Sequence, residues 1–121
     1  MNAVVDTNIL IDYLIGVSAA KAELGRYDVV SISHMTWMEV MAGTDPGDDE
    51  RRVRGFLRRY TLCPIDADIG ESAVQLRRAH RIRLPDAIIW ATAKQLGQLF
   101  VTRNSKDFPA SDPGIRIPYT L

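Results

Sequence analysis

Three carboxylates stand in this sequence where apolar neighbours predict burial. Asp6 follows the apolar run of "VVDTN" (residues 4–8). Glu39 falls between Met35, Met38 and Ala42 on a helical wheel of "HMTWMEVMA", and Asp86 heads a face that continues as Ile89, Trp90 and Ala93. A charge beside buried apolar groups costs free energy unless something compensates it. Asp6 reads equally as the cap of a helix starting at Asn8. Asp86, in the first turn of a helix, gains about 0.3–1 kcal/mol from the helix dipole. Glu39 sits mid-helix, where neither account serves. Acids gathered together with no equally placed Lys or Arg repel, and a divalent cation is the simplest remedy. Hard oxygen donors suit Mg2+ or Mn2+. His34 and His80 are not at ligand spacing, and His80 shares the face of Ile69, Ala73 and Leu76 as a core or boundary residue. Zinc is disfavoured.

For these acids to meet, the elements carrying them must gather at one edge. "AVV" (3–5), "DVVSIS" (28–33), "TLCPI" (61–65), "QLFVT" (98–102) and "GIRIP" (114–118) read as short strands, with Pro64 placing the third at a strand end or sheet edge. Helical patterns separate them. Ile9, Leu10, Tyr13 and Leu14 share a face before Gly16, and a second piece covers Ala19 to Leu24. Ser33 can cap the stretch that Gly43 stops. "ERRVRGFLRRY" aligns Val53, Phe56, Leu57 and Tyr60, and "ADIGESAVQLRRAHRI" aligns Ile69, Ala73 and Leu76. "LPDAIIWATAKQL" has Pro85 in its first turn and ends at Gly97. Strands alternating with amphipathic helices predict an α/β domain with a mostly parallel sheet. Ligands of such sheets sit beyond the C-terminal strand ends. Asp6, the helices holding Glu39 and Asp86, and the loop "TRNSKDF" all start there. No repeat or linker divides residues 1–121, so one domain is expected.

Composition narrows the class without naming a function. The 121 residues are 46% hydrophobic and 25% charged, as in ordinary folded proteins. Fifteen basic and fifteen acidic residues cancel, which excludes a global field of the kind that grips nucleic acid, so any such binding must be local. Cys63 is the only cysteine; an internal disulfide is impossible and a reducing cytosol fits. No run approaches the ~18 apolar residues of a membrane span, and Asp6 and Asp12 interrupt any signal-like start. A cytoplasmic protein without membrane contact is expected.

Taken in order, "VVDTNILIDYL", Glu39 in "WMEVMAG", "IRLPDAIIWATA" and "LFVTRNSKDF" resemble the PIN-domain ribonucleases of the VapC toxin type. The resemblance covers nearly the whole chain. It implies a three-layer α/β/α sandwich with a small, mostly parallel sheet and an Mg2+- or Mn2+-dependent endoribonuclease site. It also implies a cognate VapB-type antitoxin and a homodimer. Carried over singly, Asp6, Glu39 and Asp86 match the first three acids of the family pattern and Asp107 the fourth. Asp6, Asp86 and Asp107 would be metal ligands, with Glu39 a ligand or a base. Asn104 stands where many PIN domains have an aspartate and becomes a neutral or water-mediated ligand. Thr7 and Thr102 would orient carboxylates or water, and the products would be a 5'-phosphate and a 3'-hydroxyl. Trp90 departs from the pattern, which more often has a small residue there.

A phosphatase of the dehalogenase type also starts with a strand ending in aspartate, but it needs a second acid where this chain has Asn8. A PIN-like domain that binds RNA or protein without cutting is the standing alternative. RNA needs cations: Arg51, Arg52, Arg54, Arg58 and Arg59 form one cluster, and Arg77, Arg78, Arg81 and Arg83, just before Asp86, form the better one. Each cluster reads also as a solvated helix face. The helix over 34–42 is apolar nearly all round, so Trp37, Met38 and Met41, with Phe56, offer a groove for an antitoxin segment. Burial of the same residues in the core or in a homodimer is an equal expectation.

Overall fold

The computed structural model describes residues 1–121. Five strands, β1 (Asn2–Val5), β2 (Val29–Ser33), β3 (Thr61–Cys63), β4 (Leu99–Val101) and β5 (Ile115–Arg116), pair in parallel throughout, in the order β3-β2-β1-β4-β5. All five apolar runs became strands. β3 stops at Cys63, immediately before Pro64, and lies at the sheet edge, where a residue without an N–H is tolerated.

Six helices connect the strands: α1 (Thr7–Leu14), α2 (Ser18–Leu24), α3 (His34–Ala42), α4 (Asp48–Leu57), α5 (Ala67–His80) and α6 (Leu84–Leu96). Local signals set their ends. Ser33 accepts from the Met35 N–H at the start of α3, and Asp66 accepts from the Ile69 N–H at the start of α5. Gly97 closes α6 with a φ of 63°, a left-handed conformation that glycine adopts without strain.

Alternation along the central strands sends side chains into two cores. Ala3, Val5, Ile32 and Val101 pack with Ile9, Leu10, Leu24, Val40, Val53 and Leu57 from α1 to α4. Val4, Phe100 and Ile115 pack with Ile69, Ala73, Ile89 and Trp90 from α5 and α6. The result is an α/β/α sandwich whose sheet is wholly parallel. Trp90 is 2% exposed and sits between the His80 and Phe108 rings, 5.7 Å from Phe108 between centroids, while Phe108 packs in turn on Phe100. No helix is long and apolar enough to cross a membrane.

The strand order turns back at β1. The chain runs outward through β2 and β3, then crosses to β4 on the other side of β1. That reversal opens a crevice beyond the C-terminal ends of β1 and β4, where Asp6 and Thr102 lie.

Candidate active site

Asp6 leaves β1 with its N–H bonded to the Val101 carbonyl at 2.8 Å, so its position follows directly from sheet pairing. It is also the residue that starts α1: its Oδ1 accepts from the Thr7 N–H at 2.8 Å. The cap and the site wall are one carboxylate. Its Oδ2 accepts the Thr102 hydroxyl at 2.7 Å and faces the Asn8 amide nitrogen at 3.3 Å. Asp6 is 5% exposed. Burial pushes its carboxyl up to about 6, with Asp86 and Glu39 adding to the rise against the hydrogen bonds from Thr102 and the Thr7 N–H.

A cavity of about 200 Å³ opens on this carboxylate, lined by Asp6, Thr7, Asn8, Ile11, Glu39, Arg83, Asp86 and Asn104. Glu39 reaches it from α3, and its Oε1 accepts the Thr7 hydroxyl at 2.7 Å, while Thr7 Oγ1 lies 3.1 Å from the Thr36 hydroxyl. Asp86 reaches it from the first turn of α6 and is 7% exposed. Asn104 comes from the loop after β4, where its N–H donates to Thr102 Oγ1 at 3.1 Å.

Several sequence expectations need correction. Glu39 is exposed, as are Met38 and Ala42 beside it; that helix face looks outward over the crevice, and the apolar wheel did not signal burial. The acids are not without a cation. Arg83 lines the same cavity, and its Nε lies 3.3 Å from Asp86 Oδ2. Asp107 does not line the cavity; it stands behind Asn104, which donates its amide to Asp107 Oδ2 at 2.9 Å and accepts the Asp107 N–H at 3.1 Å. Phe56 is 7% exposed and stacks on Tyr13 at 5.0 Å, so it is a core residue and not a groove wall. The groove beside the acids lies instead between α1, α3 and α4, lined by Ile11, Leu14, Ile15, Glu39, Val40 and Arg52 among others. Trp37 lines a different hollow, with Arg54, Arg58, Tyr60 and Leu62.

The arginine clusters separate as well. Arg51, Arg52 and Arg54 pair with Asp48, Asp49 and Glu50 on their own helix, the arrangement of a solvated face. Arg77 donates to the Ile82 carbonyl at 2.8 Å and closes the end of α5, where Arg81 adopts a left-handed φ of 55°. Arg78 is exposed, and Arg83 alone of its cluster borders the acids.

Sequence reasoning missed Asn8, whose amide nitrogen is 3.4 Å from Thr102 Oγ1 and whose Oδ1 accepts the Arg103 N–H at 3.2 Å. Its place in the "DTN" triplet was the available signal.

The donor set is all oxygen and fits a hard dication. No three carboxylates converge tightly enough to grip an ion by themselves. Mg2+ suits that spacing, since it keeps several waters and takes only one or two carboxylates. Asp6 and Asp86, the two buried carboxylates of the lining, are the residues that could hold it, and the Asn104 amide beside them is engaged with Asp107.

The description "PIN domain" belongs to the family model that matches residues 3–111, which span all four acids. The chain belongs to the PIN-domain family. Among solved structures, a chain of a toxin–antitoxin complex from Klebsiella pneumoniae is 43% identical to this PIN domain. Its TM-score is 0.92, over 98% of this chain and 99% of that one. DNA-bound VapBC from Salmonella typhimurium has a chain 24% identical with a TM-score of 0.78, over 96% of each chain. FitAcB from Neisseria gonorrhoeae gives 24% and 0.76, over 98% of this chain and 99% of that one. These last two bear on the fold of this PIN domain alone. Curated proteins gave no match.

Proposed function

We propose that this PIN domain is a divalent-metal-dependent endoribonuclease toxin restrained by a cognate VapB-type antitoxin. The observation that carries the reading is the gathering of Asp6, Glu39, Asp86 and Asn104 around one cavity at the strand-order reversal of the sheet. A 43% identical chain in a toxin–antitoxin complex supports the antitoxin and the toxin role. RNA is the substrate and a homodimer the resting assembly in this reading.

A bound Mg2+ or Mn2+ supplies charge neutralisation at the phosphate and acidifies a water. The protein's own groups do the rest. Asp6 and Asp86 would hold the ion, and the Thr102 hydroxyl keeps one Asp6 oxygen turned toward β4. Glu39, exposed at the cavity mouth and oriented by Thr7, accepts the proton of the attacking water. Arg83, 78% exposed and tied to Asp86 by one contact, is free to turn its remaining N–H groups to a phosphate oxygen. Asp107 acts through Asn104, whose amide it fixes. In this reading, therefore, Asp107 is a positioning residue and Asn104 is the group at the cavity.

RNA cleavage measured with and without EDTA tests this. Asp6→Asn and Asp86→Asn are each expected to lose at least 100-fold of the metal-dependent rate; wild-type activity in either sinks the mechanism. The ion pair of Arg83 with Asp86 favours a second reading, a PIN-like domain that binds RNA or protein without cutting, because it neutralises one acid without metal. RNA that is bound but never cut, in Mg2+ or Mn2+, would establish that reading instead.

A further inference from the structure

Asp12 is a carboxylate that the proposed chemistry does not use, yet it is 2% exposed. It accepts a two-pronged contact from Arg103, Nε to Oδ2 at 2.7 Å and Nη2 to Oδ1 at 3.1 Å, and the Tyr119 hydroxyl at 2.7 Å. These side chains come from α1, from the loop after β4 and from the segment after β5. None of the three lines the acid cavity.

Position in the chain gives Arg103 its interest. It stands between Thr102, whose hydroxyl donates to Asp6, and Asn104, which lines the cavity. Its own N–H donates to Asn8 Oδ1, and the Asn8 amide faces both Asp6 and Thr102. A guanidinium fork fixes direction as well as distance. Turning Arg103 therefore turns the peptide units that aim its two neighbours.

We propose that Arg103, clamped by Asp12 and Tyr119, is a positioning residue that sets the spacing of Asp6 and Asn104 and so tunes the affinity of the cavity for a divalent cation. The inference rests on the metal-dependent reading above. Partners that orient ligands from behind typically change metal affinity 10- to 100-fold when lost. A buried ion pair kept only for stability behaves differently: replacing both partners by apolar residues of similar volume is often neutral or stabilising.

That contrast gives the test. Full-length wild type, Asp12→Leu/Arg103→Met and Tyr119→Phe are titrated with Mn2+ by calorimetry without RNA, and each is unfolded in urea. The double variant is expected to keep a urea midpoint near that of wild type while its Mn2+ affinity falls about 10-fold or more. Tyr119→Phe, which strands no charge, is expected to lose about 2- to 3-fold. Wild-type affinity in the folded double variant, or in Tyr119→Phe should the double variant not fold, overturns the inference while leaving the metal-dependent reading standing. A wild-type chain that binds no Mn2+ overturns both.

Discussion

Replacing Asp6 by asparagine should make the metal-free protein more stable, and more so as the pH rises. Folding takes this carboxyl from its ordinary 3.8 to about 6 because burial penalises the charge and Asp86 and Glu39 repel it. Two units correspond to about 3 kcal/mol at ~1.4 kcal/mol each. The sign follows from proton binding. Between the two values the folded chain holds a proton that the unfolded chain has released, so stability falls as the pH rises through this window. Roughly half of that loss, about 1.4 kcal/mol, falls between pH 5.0 and pH 7.5. Asparagine carries no charge and still accepts the Thr7 N–H, but it turns an amide nitrogen or a crowded oxygen toward the Thr102 hydroxyl, losing about 1 kcal/mol. The net gain in EDTA at pH 7.5 is about 1–2 kcal/mol, or roughly 4–8 °C in Tm. Urea unfolding of both proteins at the two pH values isolates Asp6, because the other titrating groups are common to both. Mg2+ should then narrow the gap by stabilising the wild type. A difference between variant and wild type that does not change with pH would refute the burial argument.

Other expectations follow from the same packing. Trp90→Ala empties a site between His80 and Phe108 and should cost about 3–5 kcal/mol in urea unfolding. Arg81→Gly relieves the left-handed residue that ends α5 and should raise stability by about 0.5–1 kcal/mol, seen as a higher thermal midpoint. Glu23 is 4% exposed; burial alone would raise its carboxyl, yet hydrogen bonds from Arg116 and Tyr27 hold it below its ordinary 4.5. Its contribution is therefore complete above pH 4.5 and lost as the pH falls, and Glu23→Gln should flatten the acid limb of a stability–pH curve. Arg116→Met leaves that charge only Arg26 at 3.7 Å and should cost about 3 kcal/mol at pH 7, the low end for a buried pair.

The strands were legible because each is a short β-branched or apolar run bounded by Pro, Gly or a polar cluster, and the parallel sheet followed from their alternation with helices. Asp6 and Asp86 were legible because each interrupts a pattern that demands burial. Glu39 misled, since an apolar wheel does not tell which side of a helix faces protein; Met38 and Ala42 share its outward face. The acid–arginine contacts show two limits. Arg83 is only three residues from Asp86, yet it belongs to an arginine run of the kind that usually forms a solvated helix face. Asp12 and Glu23 find Arg103 and Arg116 across 91 and 93 residues, a distance that no local periodicity encodes. The difference between Asn104 and Asp107 was hidden for a local reason: it depends on which side chain the loop turns toward the cavity.

The placement of β1 bears on the order in which the molecule can be made. It lies mid-sheet, and one of its two neighbours, β4, is not synthesised until residue 99. Until the ribosome passes that point Asp6 has no Thr102, and Asp12 and Glu23 near the start have no cation from Arg103 or Arg116 near the end. Closure of so long a loop must precede the contacts that reward it. The acid cavity is thus completed only after residues 99–104 have left the ribosome.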